Sequence, residues 1–187
     1  MSNVLIAYAT DHGTTRQVAQ AISDGADGHA GCRAEARDVE TLRADDLRDV
    51  DGLVLGAPVY MGSCHWAMKQ FIDRTLGPLW ATSSLEGRVG ALFATGSGHG
   101  GGAGAELNML SMLAVLAKLG MILVPLPHRT DGYDTGGMHW GPFFRTAVKD
   151  GRPALLHADL TAARRHGLHV ARVTRRLSPI HFNDSAY

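Results

Sequence analysis

Near the amino terminus, Thr10-Asp11-His12-Gly13-Thr14-Thr15 places three hydroxyls around a glycine, between an apolar run (Val4–Tyr8) and a helical pattern from about Thr15. Such a turn aims hydroxyls and backbone N–H groups at one point, and the helix start behind it adds partial positive charge. That combination seats a phosphate dianion. No lysine is present, so the G-x-x-x-x-G-K-[ST] loop of nucleotide triphosphatases is not met. Neutral donors suit a monophosphate better than a reacting triphosphate, which points to flavin mononucleotide (FMN). The same residues also serve an ordinary strand-to-helix turn capped by Thr14 or Thr15, and both readings stay open on this segment alone.

Two further loops follow apolar runs. After Leu53–Gly56 comes Ala57-Pro58-Val59-Tyr60-Met61-Gly62-Ser63-Cys64, a Pro-x-aromatic-x-Gly turn able to offer N–H groups and a flat side chain to a ring. Tyr60 also fits a plain turn aromatic, and Pro58 an ordinary helix-start signal. After Val89–Ala94 comes Thr95-Gly96-Ser97-Gly98-His99-Gly100-Gly101-Gly102. Its Gly96, Gly98 and Gly101 spell G-x-G-x-x-G, but after the fourth strand rather than the first, and with no acidic residue ~20 positions on to hold a ribose. The dinucleotide reading is therefore set aside; glycines here let backbone approach a planar ligand closely.

The ten histidines form no H-E-x-x-H or comparable cluster, and Cys32 and Cys64 lack zinc or redox spacing, so no metal site is expected. His99 and His139 are candidates for contact with a substrate oxygen, although both also suit surface turns. Cys64 reads as buried and inert. His166 and His169 share a helix face at i, i+3.

These loops need a frame. Five apolar segments (Val4–Tyr8, Arg33–Val39, Gly52–Gly56, Val89–Ala94, Met121–Val124) alternate with helical stretches at about Thr15–Asp24, Arg43–Arg48, His65–Leu76, Ala105–Leu119 and Leu156–Arg176. Three strands are apolar without alternation, as in parallel strands buried on both faces. The alternation predicts an α/β fold: a doubly wound, five-stranded parallel sheet in flavodoxin-like order 2-1-3-4-5, helices on both faces, with its ligand at the β1/β3 switch point. Residues 1–187 read as one domain, ending in a tail from about 177. The glycine-rich, aromatic Pro125–Pro153 stretch reads as a functional loop over the site.

Net charge is zero but uneven: Asp24–Asp51 carries nine acidic and four basic residues, and the chain from Arg145 onward eight basic and three acidic. The basic residues lie mostly on the last helix, where a solvated face is the simpler explanation, so no nucleic-acid partner is expected. No apolar run approaches the ~20 residues of a membrane span, and no basic segment precedes the first strand; a cytoplasmic protein with no membrane partner is expected. The helix around Leu107–Leu116 is apolar nearly all round, which suggests cover on a second side by another copy of the chain.

The chain resembles the WrbA-like NAD(P)H:quinone oxidoreductases, type IV, of the flavodoxin-like superfamily. The resemblance covers most of its length: LVLGAPVYMGSCHWAMKQFIDRT (Leu53–Thr75), GPLWAT (Gly77–Thr82), the Thr95–Gly102 glycine loop, Gly120–Pro125, a Gly-Gly-x-x-Trp-Gly segment at Gly136–Gly141, and the final helix. The phosphate turn is similar to T-x-T-G-x-T. The resemblance implies FMN phosphate contacts at Thr10, His12, Gly13, Thr14 and Thr15. It implies ring contacts at Pro58, Val59, Tyr60, Met61, Gly62, Thr95, Gly96, Ser97, Gly98 and Gly101. Tyr60, His99 and His139 are the candidate catalytic side chains, and Trp80 matches a tryptophan that reaches a neighbouring protomer, implying a homodimer or homotetramer. Three departures stand out: Tyr60-Met61 replaces an arginine-phenylalanine pair, Lys118-Leu119 replaces a histidine pair, and the link between the second and third strands is short.

The implied reaction is ping-pong: NADH or NADPH, then a quinone or other small aromatic acceptor, each using the same flavin face. Two alternatives remain. A flavodoxin-type electron carrier would be strongly acidic to steer onto basic partners, whereas this chain is neutral. A reductase of flavins or aromatic biosynthetic intermediates fits the altered Tyr60-Met61 pair.

Overall fold

The computed structural model describes residues 1–97 and 104–177. The first strand, β1 (Ser2–Tyr8), is buried apart from Asn3, and its side chains alternate between two cores. Gly13, at φ 82°, turns the chain into α1 (Thr14–Asp27), whose Val18 and Ile22 bury on one face. β2 (Cys32–Asp38) pairs parallel to β1 at the sheet edge. The expected helix over Arg43–Arg48 is only two 3₁₀ turns, Val39–Thr41 and Ala44–Leu47, because the short β2–β3 link leaves no room for a packed helix.

β3 (Gly52–Tyr60) runs longer than expected and folds back through Met61 (φ 48°) and Gly62 (φ 79°) into β4 (Ser63–Cys64). Two consecutive positive φ angles define the tight hairpin turn that matches strand twist. A helical run follows without a break: α2 (Trp66–Phe71), a π-turn at Ile72–Leu76, and α3 (Gly77–Ala81). It passes the expected end at Leu76. β5 (Val89–Gly96) is buried throughout and precedes α4 (Ala105–Lys118).

The fifth sheet position departs most from expectation. β6 (Ile122–Leu123) pairs with Val89 and Gly90 only. The chain then leaves the sheet, forms α5 (Tyr133–Gly136) and β7 (Gly137–Met138), and returns as β8 (Gly141–Lys149). Phe143, Phe144 and Arg145 of β8 lie parallel to Ala94, Thr95 and Gly96. Two separate segments thus occupy one edge of β5. The Pro125–Pro153 stretch is therefore not a loop over the site: Phe144 is 1 % exposed in the core, and Thr146–Lys149 pairs with β9 (Arg152–Leu155) around Asp150-Gly151. Gly-Pro at the start of β8 disguises it as a turn, and only its first four residues are buried. Leu155 is committed to β9, so α6 (Thr161–Leu177) begins later than expected, with the Asp159 carboxylate accepting from the Thr161 N–H at 2.9 Å.

The order β2-β1-β3-β5-(β6, β8) is the expected 2-1-3-4-5 arrangement with its last place shared. α1 and α6 cover one face, α2 and α4 the other. Leu5, Leu53, Leu55 and Leu92 pack towards Met68, Met109 and Met112, while Ile6, Val54 and Phe93 pack towards Val18, Ile22 and Val170. α1 and α6 touch backbone to backbone: a Cβ on Gly25 would fall 2.0 Å from the Arg164 carbonyl oxygen, and one on Gly167 1.9 Å from that of Ile22.

Candidate functional site

The carboxyl ends of β1, β3 and β5 lie side by side, which brings the phosphate turn, the Tyr60–Gly62 turn and the Thr95–Ser97 segment together. The α1 start is open to a ligand: Gly13 gives it no side-chain cap, and no acidic residue stands in its first turn. The Gly13 N–H is occupied by Thr10 Oγ1 at 2.9 Å. The next N–H groups, Thr14 to Arg16, have no helical carbonyl to bond. A Cβ on Gly13 would meet nothing within 4 Å, so the described chain does not cover this glycine. Thr14 and Thr15 are buried, and the Thr15 hydroxyl meets that of Thr95 at 2.8 Å.

The other two loops are tied together as firmly. A Cβ on Gly96 would approach Val59 to 3.2 Å, which fixes the end of β5 against the end of β3. Gly104, at φ 93°, lets the start of α4 touch the Met61-Gly62 turn, where a Cβ would fall 2.6 Å from Gly62 Cα. Asn108 of α4 is fully buried; its Nδ2 donates to the Ala57 carbonyl at 3.2 Å while Oδ1 has no partner. Pro58 and Val59 are half-buried, Tyr60 is exposed, and Met61 projects fully into solvent. Gly98, His99 and Gly101 lie outside the described residues.

A polar pair not foreseen as such stands between the phosphate and Tyr60 turns. The His65 ring is buried, and its Nε2 lies 3.0 Å from Asp11 Oδ1. Its Nδ1 accepts the Ala67 N–H at 3.2 Å, capping α2. Assigned from that pattern, the ring hydrogen sits on Nε2 and is donated to Asp11. Burial alone would raise the Asp11 carboxyl, but hydrogen bonding from Tyr60 and His65 holds it below its ordinary value. Conversely, burial and then the Asp11 carboxylate push the Tyr60 phenol up to about 12. Tyr60 therefore keeps its proton near neutrality. The rings of Tyr60 and His65 lie 5.1 Å apart. Neither residue type nor spacing links Asp11 to His65, 54 positions later; only the shared switch point does.

His139 is not brought to this cluster. β8 runs parallel to β5 and Gly141 sits against Leu92, so residue 139 falls well short of the β5 end, where its ring packs on Trp140 at 4.4 Å. His12 is exposed on the phosphate turn. Burial pushes the Cys64 thiol up, which keeps it a thiol. Among the described residues no three His, Cys, Asp or Glu side chains are placed to hold a metal.

The flavodoxin domain profile matches residues 5–99, the part that carries the first two loops and the start of the third. An NAD(P)H dehydrogenase (quinone) of Archaeoglobus fulgidus is 33% identical over 95% of this chain and 100% of its own. One from Paracoccus denitrificans is 33% identical over 95% and 96%. The chain belongs to the flavodoxin-like NAD(P)H dehydrogenase (quinone) family. A WrbA-like flavodoxin from Agrobacterium tumefaciens superposes with a TM-score of 0.71 at 25% identity, covering 94% of this chain and 99% of that one. The arrangement of this family member's loops fits FMN: uncapped N–H groups at the α1 start for a phosphate, and close-packed turns of β3 and β5 for a ring.

Proposed function

We propose that the protein is an FMN-dependent NAD(P)H:quinone oxidoreductase. The observation that carries this reading is the uncapped α1 start with open space at Gly13, joined through Thr15 and Thr95 to the β5 end. In it, Thr10, His12, Gly13, Thr14 and Thr15 hold the phosphate. Pro58 to Gly62 and Thr95 to Ser97, continued by Gly98 and Gly101, hold the ring. FMN, when bound, supplies the two-electron chemistry, while the protein supplies orientation and exclusion of competing reactions.

Each residue has a definite task. Backbone N–H groups of α1 take the phosphate charge without a cation, and buried Thr15 fixes their direction through Thr95. The Tyr60 hydroxyl stays protonated and turned towards Asp11, so it orients rather than donates a proton. Met61 and Gly62 shape the outer rim of the ring cleft. Of the two histidines expected from the sequence to contact the acceptor, His99 is the one we retain for proton delivery.

NADH or NADPH serves as reductant, and a quinone or related aromatic acceptor takes the electrons. No helix of the described residues is long and apolar enough to cross a membrane, and we place the protein in the cytoplasm. Homo-oligomer formation is supported by Trp80, Leu107 and Leu110, all exposed. A lone electron carrier is disfavoured by the net charge of zero.

Anaerobic stopped-flow tests the reading. The FMN-loaded protein should bleach on mixing with NADH or NADPH and recolour on mixing with benzoquinone. Flavin that stays yellow with both nucleotides would overturn it.

A further inference from the structure

The Asp11 carboxylate is anomalous where it stands. It belongs to a turn shaped to receive a dianion, and a carboxylate pointing into that turn would repel the phosphate. The structure shows how the conflict is resolved: His65, held by its own cap to α2, draws Asp11 Oδ1 to 3.0 Å, and Tyr60 faces the same carboxylate. The carboxylate so held lines an open cleft of about 610 Å³, whose walls include Tyr60, Ser63, His65, Trp66 and Ser111.

That cleft has the composition of an aromatic subsite. Trp66 is 61 % exposed and offers an apolar face, and the His65 ring contacts both it and Tyr60, 5.6 Å from Trp66 and 5.1 Å from Tyr60. An ionised carboxylate has about four acceptor sites. His65 engages one at 3.0 Å, and Asp11 remains 48 % exposed. Free acceptor capacity therefore faces the aromatic walls. An unsubstituted quinone offers only carbonyl oxygens, which this carboxylate repels. A ring that also carries a hydroxyl can donate to it, while its carbonyls accept from Ser63 or Ser111. The Lys69 ammonium, also on the cleft, is already paired with Asp73 at 2.5 Å, so it does not cancel the preference for a donor.

We propose that Asp11, aimed into the Trp66 cleft by His65, is a specificity-determining residue that accepts a hydrogen bond from a hydroxyl on the aromatic acceptor, so that hydroxylated quinones are the preferred substrate class. The proposal rests on the quinone reductase reading. A site built to bond a hydroxyl discriminates against the analogue lacking the hydrogen.

The test compares 6-hydroxy-1,4-naphthoquinone with its 6-methoxy ether at pH 6, in the FMN-loaded protein and in Asp11→Ala. The expected result is a kcat/KM ratio of about tenfold or more for the hydroxy compound in the parent, falling to about one in the variant. Calorimetric binding of 2-naphthol against 2-methoxynaphthalene to the parent FMN-loaded protein reads the same contact without turnover and needs no variant; the naphthol should bind more tightly by a similar factor. Equal binding of the two, or a kcat/KM ratio that Asp11→Ala leaves intact, overturns the proposal. If neither quinone is reduced, the quinone reductase reading fails, and the calorimetric comparison alone decides whether Asp11 selects a hydroxyl.

Discussion

The hydroxyls of Thr15 and Thr95 meet at 2.8 Å, both buried, and bind the first turn of α1 to the end of β5. They are 80 residues apart in sequence. Their contact ties the turn before α1 to the end of β5, the two segments we propose hold the phosphate and the ring of a flavin.

Thr15→Val and Thr95→Val should each cost about 1–3 kcal/mol of stability, because each strands the other hydroxyl in the core. The double variant should cost little more than either single one. Denaturant unfolding of the four proteins gives the coupling, and additive losses would show that the hydroxyls act independently. FMN dissociation should accelerate in both single variants.

His65 performs two tasks that substitution can separate. His65→Ala removes the α2 cap and the Asp11 contact together, at a capping cost of about 1 kcal/mol. In His65→Asn the shorter side chain can still cap but falls short of Asp11. Both variants should release FMN faster, by about an order of magnitude for a charge-assisted contact. The alanine variant should also melt lower. Unchanged FMN release in His65→Asn would confine the residue to capping.

His166 is fully buried on α6, and neither ring nitrogen has a hydrogen-bond partner. Burial, then the nearby His169, lowers its pKa to about 3. The unfolded chain therefore binds a proton that the folded chain refuses between roughly pH 6.5 and 3. Its contribution to stability is complete above pH 6.5 and is lost as pH falls through that window. His166→Leu should flatten this slope and raise stability at pH 5, as read by urea unfolding at pH 5 and pH 8.

Met61 sits at φ 48°, a left-handed conformation that costs a side chain about 1–2 kcal/mol. It is fully exposed, so nothing packs against it to compensate. Met61→Asn supplies the Asn-Gly pair this hairpin prefers and should raise the melting temperature by about 2–4 °C per kcal/mol gained. Its effect on quinone turnover would show whether the methionine earns its place at the cleft rim.

The parts of the fold legible in the sequence were those where one strand is buried on both faces. Val4–Ile6 and Leu53–Leu55 read as strands because both sheet faces are covered there, and the order of the first four followed; the third unbroken apolar run, Ile122–Val124, misled, for it forms only the two-residue, half-buried β6. Gly141–Lys149 was not legible: half of it lies in an exposed hairpin, and Gly-Pro announces a turn. The hairpin signal Asp150-Gly151 was present but hidden inside a stretch that looked like one long loop. At the site, Thr10 to Thr15 and the Tyr60 turn carried local signals, hydroxyls and glycines at fixed spacing. The Asp11–His65 contact carried none, since it depends on which strand ends the sheet places side by side.

The shared edge of β5 has a consequence for the order in which the molecule is completed. Val89 and Gly90 acquire their outer neighbour from Ile122 and Leu123, but Thr95 and Gly96 must wait for Phe144 and Arg145. In chain order, the neighbour of the first half of β5 comes before the neighbour of the half that belongs to the site. Arg145 follows Leu123 by some twenty residues, so a chain cut before Phe143 would keep the partner of Val89 and Gly90 but leave Thr95 and Gly96 without an outer neighbour.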